Sequence, residues 1–489
     1  MLIKVERKPE KFLPNFKRVI LRYLFYSDVR ARVIIPKVIG SSDEQIIQSL
    51  EGTLRDFSRR HRSITRTFLS HFEKIKYLLE EFKVDAENLS LERKLVLGSY
   101  FTMEYSIESA AFFNPSIVES PDQQYLKPGS KRVIISFRAI GEGHISSIVF
   151  RQGIIDSSCN FTFDTESYFV RDAEIVRHHP YETKKFIERL KRRNIPAELI
   201  KSVTDPLPET FTYRQLEECV ENYSKEKNDL KDDQYFLTRL LWSADVYHEL
   251  NFSYDTNISE RVIFPVTSAE SNGIEDARFV RFTDDDGKVT FYATYTAYNG
   301  REISPKILET KDFYHFTFRP LYGEGARNKN LALFPRKING RYVMLSRIDG
   351  IRNYIMTSDE LNIWENPLLL QEPEFPWEFV QIGNCGSPLE TEHGWLVITH
   401  GVGPVRRYCL GATLLDLHDP TIVIGRLKEP LLIPNEDERE GYVPNVIYTC
   451  GSMLHNGNLV LPYGESDYST GFATVDLNDL LDKIRNGNS

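Results

Sequence analysis

Two acidic side chains stand side by side in the segment SNGIEDARF, Glu275 and Asp276, with Arg278 two residues further on. A carboxyl group can give a proton to a bound molecule or take one from it, and a neighbouring guanidinium tunes its charge. Successive side chains on a strand face opposite ways, so one of the two carboxylates is expected to enter a cavity. The other then orders the loop, with Arg278 as its charge partner. Further polar residues close apolar stretches elsewhere: Arg138, Tyr295 or Tyr298, Arg347, His400, and Glu465 or Asp467. Brought to one axis, they would line a mouth suited to a polar ligand.

The elements that must position these residues repeat. The segments RVIISFRAIGEGHISSIVF, RFVRFTDDDGKVTFYATYTAYNG, LALFPRKINGRYVMLSRIDG, GSPLETEHGWLVITHGVG and GSMLHNGNLVLPYGESD are five copies of one pattern. After the first, each reads as a strand, a tight turn and a second strand ending in a polar residue. From Arg278 onward the copies start roughly 50 to 60 residues apart, the period of a propeller blade. The pairs Asn339-Gly340 and Asn456-Gly457 and the run DDDG at 284 to 287 are hairpin turns. The fold expected is mainly β, a five-bladed β-propeller over 98–489. Residues 1–97 carry apolar side chains at three- and four-residue spacing and are expected as a helical N-terminal region. A second helical stretch, about 181–249 and broken by Pro196, Pro206 and Pro208, reads as an insertion between the first two copies.

Composition narrows the function classes. The 489 residues carry 61 Lys and Arg against 70 Asp and Glu, a net charge of −9, which removes the broad attraction to phosphate backbones that nucleic-acid binding needs. No apolar run approaches the ~18 residues of a membrane span. The N-terminus lacks a continuous hydrophobic segment and a small-residue cleavage site, so the expected compartment is the cytoplasm. Five widely spaced cysteines without a C-x-x-C pair point to reduced, buried thiols rather than disulfides or zinc. His178-His179 have no third ligand at a metal spacing, and GEGHIS opens no helix, so neither a metal nor a nucleotide cofactor is expected.

In these residues and the motifs around them the chain resembles glycoside hydrolase family 130, the mannoside phosphorylases and β-1,2-mannosidases. The motifs are GIEDARF, KNLALFPRKINGRYVMLSR, GSPLETEHGWLVITHG, LGATLLDLHDP, VPNVIYTCG and YGESD. The resemblance runs from about Asn114-Pro115 to the last copy, and the helical parts match a longer-chain branch. It implies a propeller that cleaves β-mannosides with inversion, with Asp276 as general acid. A glycosidic oxygen needs a proton to leave, and a carboxylic acid with a raised pKa can supply it. Sugar contacts would fall on Arg138 and Asp467, with Glu275, Arg278, Asn330 and Tyr463 around them. The partner is then a β-mannoside oligosaccharide, and the helical parts are candidates for closing the cavity or for a homo-oligomer interface. Trp377, in EFPWEF, is a candidate for stacking on a sugar ring.

The nucleophile separates two chemistries. Phosphorylases of this family use inorganic phosphate as co-substrate, and the resemblance assigns Lys329, Asn330, Arg347 and His400 to its pocket. Where those enzymes have a lysine in P-x-K-T, this chain has Pro388-Leu389-Glu390-Thr391. A carboxylate there would repel phosphate by on the order of 4 kcal/mol per unit charge at about 4 Å and an effective dielectric of roughly 20. It could instead activate water, so hydrolysis with Glu390 as base is the leading expectation, with Glu465 as a second anionic group near the axis. Phosphorolysis giving mannose 1-phosphate is the alternative. A carbohydrate-binding propeller without turnover is the reading from another class.

Overall fold

The computed structural model describes residues 3–486 apart from 177–179, 192–194, 227–235, 238–239, 242–243 and 245–247. The His178-His179 pair and Trp242 lie outside the described residues.

The β part is built from antiparallel meanders. The first contains Ala111–Glu119, Lys131–Ile140 and Ser146–Ile155. The second runs through Gly273–Thr283, Val289–Tyr298, Ile303–Thr310 and His315–Pro320. One parallel pair, Gly273 opposite Ser146, joins these two into a single larger sheet. A four-stranded sheet follows, with Lys329–Leu333, Tyr342–Arg347, Asn353–Ser358 and Leu368–Gln371 in order. The next holds Gln381–Asn384, Gly394–Val402, Tyr408–Leu415 and Val423–Arg426. The last has Ile447–Tyr448, Asn458–Glu465 and Ser469–Asp476, and its edge is covered by Val5–Arg7 from the start of the chain.

Local sequence explains the hairpins. Asn339 and Gly340 have φ of 52° and 74°, and Asn456 and Gly457 have 44° and 74°. Asn and Gly adopt this left-handed backbone at least cost, and it matches the twist of the flanking strands. In DDDG the turn closes through the Gly287 amide on the Asp284 carbonyl, 2.8 Å. The first of the five sequence copies is out of phase. Its equivalent of the other hairpins is Ala111–Glu119 with Lys131–Ile140, whose connection is long and lacks the short turn signal.

Apolar clusters fill the spaces between consecutive meanders. Ile134, Phe150, Phe279 and Phe291 pack between the first and second, and Phe282, Leu333, Met344 and Trp364 between the second and third. Phe334, Leu345, Trp395 and Leu415 follow, then Leu396, Leu414, Leu461 and Val475. Phe112, Phe137, Val460 and Phe472 join the last to the first, so the order of contacts closes on itself. Side chains of this size are worth about 2 to 3 kcal/mol each when fully buried. Inner strands covered on both faces read as apolar runs rather than alternating ones.

The N-terminal region is helical only in part. Helices Asp28–Gly40, Asp43–Phe57, Ile64–Glu73 and Leu91–Tyr100 share their own core around Ile35, Phe68, Phe72 and Leu97. Ser42 and Gln45 form a capping box that starts the second. Before them the chain is extended: Val5–Arg7 pairs with the last sheet, Phe12 inserts among Phe112, Phe137, Phe163 and Phe472, and Val19–Tyr23 pairs with Thr102–Ser106. These short β-branched stretches lack helical periodicity, which explains the difference from a wholly helical 1–97. In the insertion, Thr183–Lys191, Ala197–Thr204 and Tyr213–Glu226 pack on one another, and His248–Asn251 returns to the edge of the second meander.

Candidate functional site

Three innermost strands carry the same irregularity. Their ladders slip between Phe113 and Ser116, between Glu275 and Arg278, and between Lys329 and Ala332. At each slip one residue takes a left-handed backbone: Asn114 at φ 50°, Asp276 at 52° and Asn330 at 68°. Asn and Asp are the non-glycine residues that tolerate this best, and a bulge re-aims the side chain it carries. Here the bulges bring the three polar groups together in the middle of the ring. Asn114 donates from Nδ2 to Asp276 Oδ1 at 2.7 Å. Asn330 Nδ2 donates to the Asn384 carbonyl at 2.8 Å and to the Tyr448 hydroxyl at 2.6 Å.

The bulge also overturns the expectation that only one of the two adjacent carboxylates enters the cavity. Strict alternation fails at Asp276, and both side chains meet Arg138: Nη2 donates to Glu275 Oε1 at 2.7 Å, and Nη1 lies 3.7 Å from Asp276 Oδ1. Lys329 Nζ holds the other Glu275 oxygen at 2.6 Å. Arg278 is fully buried and reaches across the centre. It donates to the Cys385 carbonyl at 2.8 Å, the Asp276 carbonyl at 2.9 Å and the Tyr448 hydroxyl at 2.7 Å. It orders backbone rather than pairing closely with the Asp276 carboxylate, which is 3.8 Å away.

The second strand of each meander supplies the next ring of residues, in register. Phe113 pairs with Arg138, Glu275 with Thr296, Lys329 with Arg347, Gly383 with His400, and Ile447 with Glu465. Thr296 thus holds the position for which Tyr295 and Tyr298 were the candidates. Tyr295 is buried instead, with its hydroxyl donating to Glu270 at 2.8 Å. Arg347 is buried and has no carboxylate partner among the described residues. Its Nη1 lies 3.3 Å from His400 Nε2, and its Nε is buried without a hydrogen bond. Burial and the nearby Arg347 and Arg278 push the His400 imidazole well below its ordinary pKa, so it stays neutral.

Electrostatics sets the protonation of the acids. Burial raises the Asp276 carboxyl, but Arg138, Arg278, Lys329 and the Asn114 hydrogen bond outweigh it and hold it below its ordinary value. A raised pKa was the expectation for a proton donor; in the ligand-free protein the group is ionised. The carboxyl pushed upward is Asp467, to about 6, by burial and by the charges of Asp276 and Glu275 against those of Arg138 and Arg406. The cluster therefore gathers four cations, Arg138, Arg278, Lys329 and Arg347, around three carboxylates, Glu275, Asp276 and Asp467.

Four of the expected residues are placed away from the central cluster or are held by other partners. Glu390 is exposed and clamped by Arg336, whose Nε and Nη2 donate at 2.8 and 2.7 Å. It lines a separate cavity of about 470 Å³ with Ile117, Phe279, Pro335 and Met453. Ile117 and Phe279 follow Asn114 and Asp276 along the same strands, and Pro335 comes just after the strand of Asn330, so this cavity opens at the opposite end of the ring. Tyr463 is a core residue whose hydroxyl donates to Glu438 at 2.8 Å. Glu465 holds the expected register but is occupied, accepting from Ser469 at 2.8 Å and pairing with Lys11. Trp377 is buried too, its indole donating to the Lys428 carbonyl at 3.0 Å. It lies over Gly401 and Gly411, where a Cβ would come within 2.4 and 2.5 Å of its ring.

Asn114 and Tyr448 were not among the expected site residues. Their signals are a polar Asn inside the apolar run AFFNPSIV, matching Asp276 and Asn330, and a Tyr just before Cys450 in VPNVIYTCG. Four of the five cysteines are buried and all are free.

The family model for glycoside hydrolase family 130, described as beta-1,4-mannooligosaccharide phosphorylase, matches residues 242–486. A 1,2-beta-oligomannan phosphorylase of Thermoanaerobacter sp. (strain X514) is 36% identical over 221 residues, 44% of this chain and 72% of that protein. A beta-1,2-mannobiose phosphorylase of Listeria innocua is 30% identical over 253 residues, 50% of this chain and 68% of that protein. A beta-1,4-mannooligosaccharide phosphorylase of Ruminococcus albus is 34% identical over 194 residues, 36% of this chain and 57% of that protein. Among solved structures, the Listeria innocua beta-1,2-mannobiose phosphorylase in complex with beta-1,2-mannobiose aligns with a TM-score of 0.46 at 21% identity, covering 78% of this chain and 93% of that one.

Proposed function

This chain belongs to glycoside hydrolase family 130, and from that premise we propose that it is an inverting β-mannoside phosphorylase acting on β-1,2-linked manno-oligosaccharides. The observation that carries the reading is Arg347, a buried guanidinium with no carboxylate partner and with Nε unpaired among the described residues. A buried cation is costly unless something neutralises it, and the neutral His400 beside it cannot. A phosphate dianion can, through charge-assisted hydrogen bonds from Arg347 with His400 as a further polar contact. The β-1,2 linkage is supported by the 1,2-acting phosphorylases among its relatives. We read the closed order of five meanders as a five-bladed β-propeller.

In this reading a phosphate oxygen attacks the anomeric carbon of the terminal mannosyl unit as the glycosidic C–O bond breaks. The leaving oxygen takes a proton from Asp276, and the products are mannose 1-phosphate and a chain one sugar shorter. Arg138 and Asp467 hold the mannosyl unit. Asp276 needs that proton first, and phosphate helps it to gain one. A unit negative charge about 6 Å away, at an effective dielectric of about 20, is worth about 3 kcal/mol, or about two pKa units upward. Phosphate thus shifts an ionised carboxylate toward the protonated form that proton donation requires.

Hydrolysis, the leading expectation from the sequence, relied on Glu390, and its position at the opposite end of the ring, locked to Arg336, does not support it. Incubating the protein with β-1,2- and β-1,4-mannobiose, with and without phosphate, tests the reading. Mannose 1-phosphate formed only with phosphate is the expected result. Free mannose released independently of phosphate overturns it.

A further inference from the structure

A cavity of about 300 Å³, which shares no lining residue with the central cluster, lies where the N-terminal region meets the strands that flank the insertion. Arg22 and Tyr23 enter it from the strand Val19–Tyr23, and His71 and Lys74 from the end of the helix Ile64–Glu73. From the β part come Asp172 and Ile175, ahead of the insertion, and Leu250, Val262 and Phe264 after it. Alternation along Val19–Tyr23 explains why a cation stands here. Ile20 and Arg22 share one side of the strand, and Ile20 packs on the core of the first meander, while Leu21 and Tyr23 pack on the helical core. Arg22 thus occupies the seam between the two cores, with its guanidinium 3.6 Å from the centre of the Phe264 ring and its Nη1 buried without a hydrogen bond. Among the described residues neither Arg22 nor Lys74 forms an ion pair, although Asp172 is near enough for its charge to act on both. Lys74 and Asp172 are open to solvent, so a ligand can reach them. Desolvation by the surrounding walls lowers both cations and raises the Asp172 carboxyl from their ordinary values. His71 is kept neutral, its pKa lowered to about 4 by burial and by Lys74. Thr102 Oγ1 donates to the Gly98 carbonyl at 2.8 Å, so its 2.7 Å contact with His71 is a donation from Nδ1 that leaves Nε2 as an acceptor.

We propose that this cavity binds a small phosphorylated sugar, with Arg22 and Lys74 holding the phosphate and Asp172 and His71 Nε2 meeting the sugar hydroxyls. A guanidinium and an ammonium without carboxylate partners recognise a phosphate through charge-assisted hydrogen bonds. The two cations outnumber the carboxylate beside them, so the lining is net positive and suits an anion. A bare phosphate would leave the two acceptors without donors, and a polyol attached to it supplies them. Leu250, Val262 and Phe264 offer apolar surface to the C–H side of a sugar ring. The volume is at the low end for small-molecule sites, enough for one monosaccharide and too small for an oligosaccharide. Because the walls come from the N-terminal region and from both flanks of the insertion, an occupant ties these parts to the β part. The proposal stands apart from the phosphorolytic reading, which contributes only mannose 1-phosphate as one of the probes.

The test is calorimetric titration of mannose 1-phosphate, mannose 6-phosphate, inorganic phosphate and mannose into Arg347→Met protein, which silences the central phosphate site, alone and combined with Lys74→Glu or Arg22→Met. A sugar phosphate is expected to bind with a Kd below about 1 mM and about tenfold or more tighter than inorganic phosphate, and mannose is expected not to bind. Lys74→Glu, a change at an exposed position that leaves the fold intact, should weaken the sugar phosphate by about ten- to a hundredfold, the worth of one charge-assisted hydrogen bond. Arg22→Met should weaken it by as much. No binding of either sugar phosphate, binding no tighter than that of inorganic phosphate, or binding that Lys74→Glu leaves unchanged overturns the proposal. Failure of the phosphorolytic reading is seen separately, as wild-type protein that yields no mannose 1-phosphate from phosphate and mannobiose.

Discussion

Replacing Arg347 by Met keeps the length and apolar stem of the side chain and removes its charge. In the wild type the guanidinium already sits buried, with Nε unpaired and Nη1 facing only a neutral imidazole. Its desolvation cost therefore belongs to the free protein, and the bonds it makes to phosphate count almost in full. Two charge-assisted hydrogen bonds, at about 1.5 to 3 kcal/mol each, give about 4 kcal/mol. That corresponds to about a thousandfold loss in kcat/KM for phosphate. The mannoside should bind as before, because Arg138 and Asp467 are untouched. Steady-state phosphorolysis with phosphate varied at saturating mannobiose, together with calorimetric binding of mannobiose alone, measures both. The variant should also be more stable than wild type in phosphate-free buffer, since an uncompensated buried charge is gone. A variant that keeps kcat/KM for phosphate within about threefold of wild type refutes the assignment of Arg347 to the phosphate site.

Other perturbations separate the remaining roles. Asp276→Asn is expected to lower kcat by about 10²- to 10⁴-fold while mannobiose affinity stays within a few-fold, read by product formation and calorimetry in parallel. Glu390→Gln should leave phosphorolysis within about twofold of wild type, because its carboxylate faces Arg336 at the far end of the ring; a hundredfold loss would restore it as a catalytic group. Asp467 has a folded-state pKa raised to about 6, so its contribution to stability is full below the unfolded value near 4 and is lost as pH rises through about 6. Asp467→Asn should therefore flatten the fall in stability between about pH 4 and 6, by up to about 3 kcal/mol, in denaturant titrations across that range.

Much of this was legible locally. Hairpins were readable from Asn-Gly pairs and from the alternation around them, because turn geometry depends on two or three consecutive residues. The dipeptide Glu275-Asp276 and the residues Arg138, Arg347 and His400 stood out by residue type within repeated motifs, Lys329 entered through the family resemblance, and the structure brings them to one place. What failed was alternation at Asp276, where a bulge with left-handed backbone turns two neighbours the same way. The bulge has a trace in the sequence, a polar Asn or Asp inside an apolar run, but that trace becomes readable only when Asn114, Asp276 and Asn330 are compared.

The sequence by itself therefore determined a repeated β fold with helical additions, the family, and the stock of acids and cations available for chemistry. Only the tertiary structure decided which of them are free to act. Lys329 is tied to Glu275, 54 residues away, while Arg347 has no carboxylate partner among the described residues. Asp276 is ionised rather than protonated because Arg138, more than a hundred residues earlier in the chain, lies beside it. Glu390 sits at the wrong end of the ring, although its motif adjoins residues that reach the centre. Strand and turn propensities act over a few residues and are written in local order. Charge balance and access depend on distances across folded space, where burial and the low interior dielectric make each neighbour count.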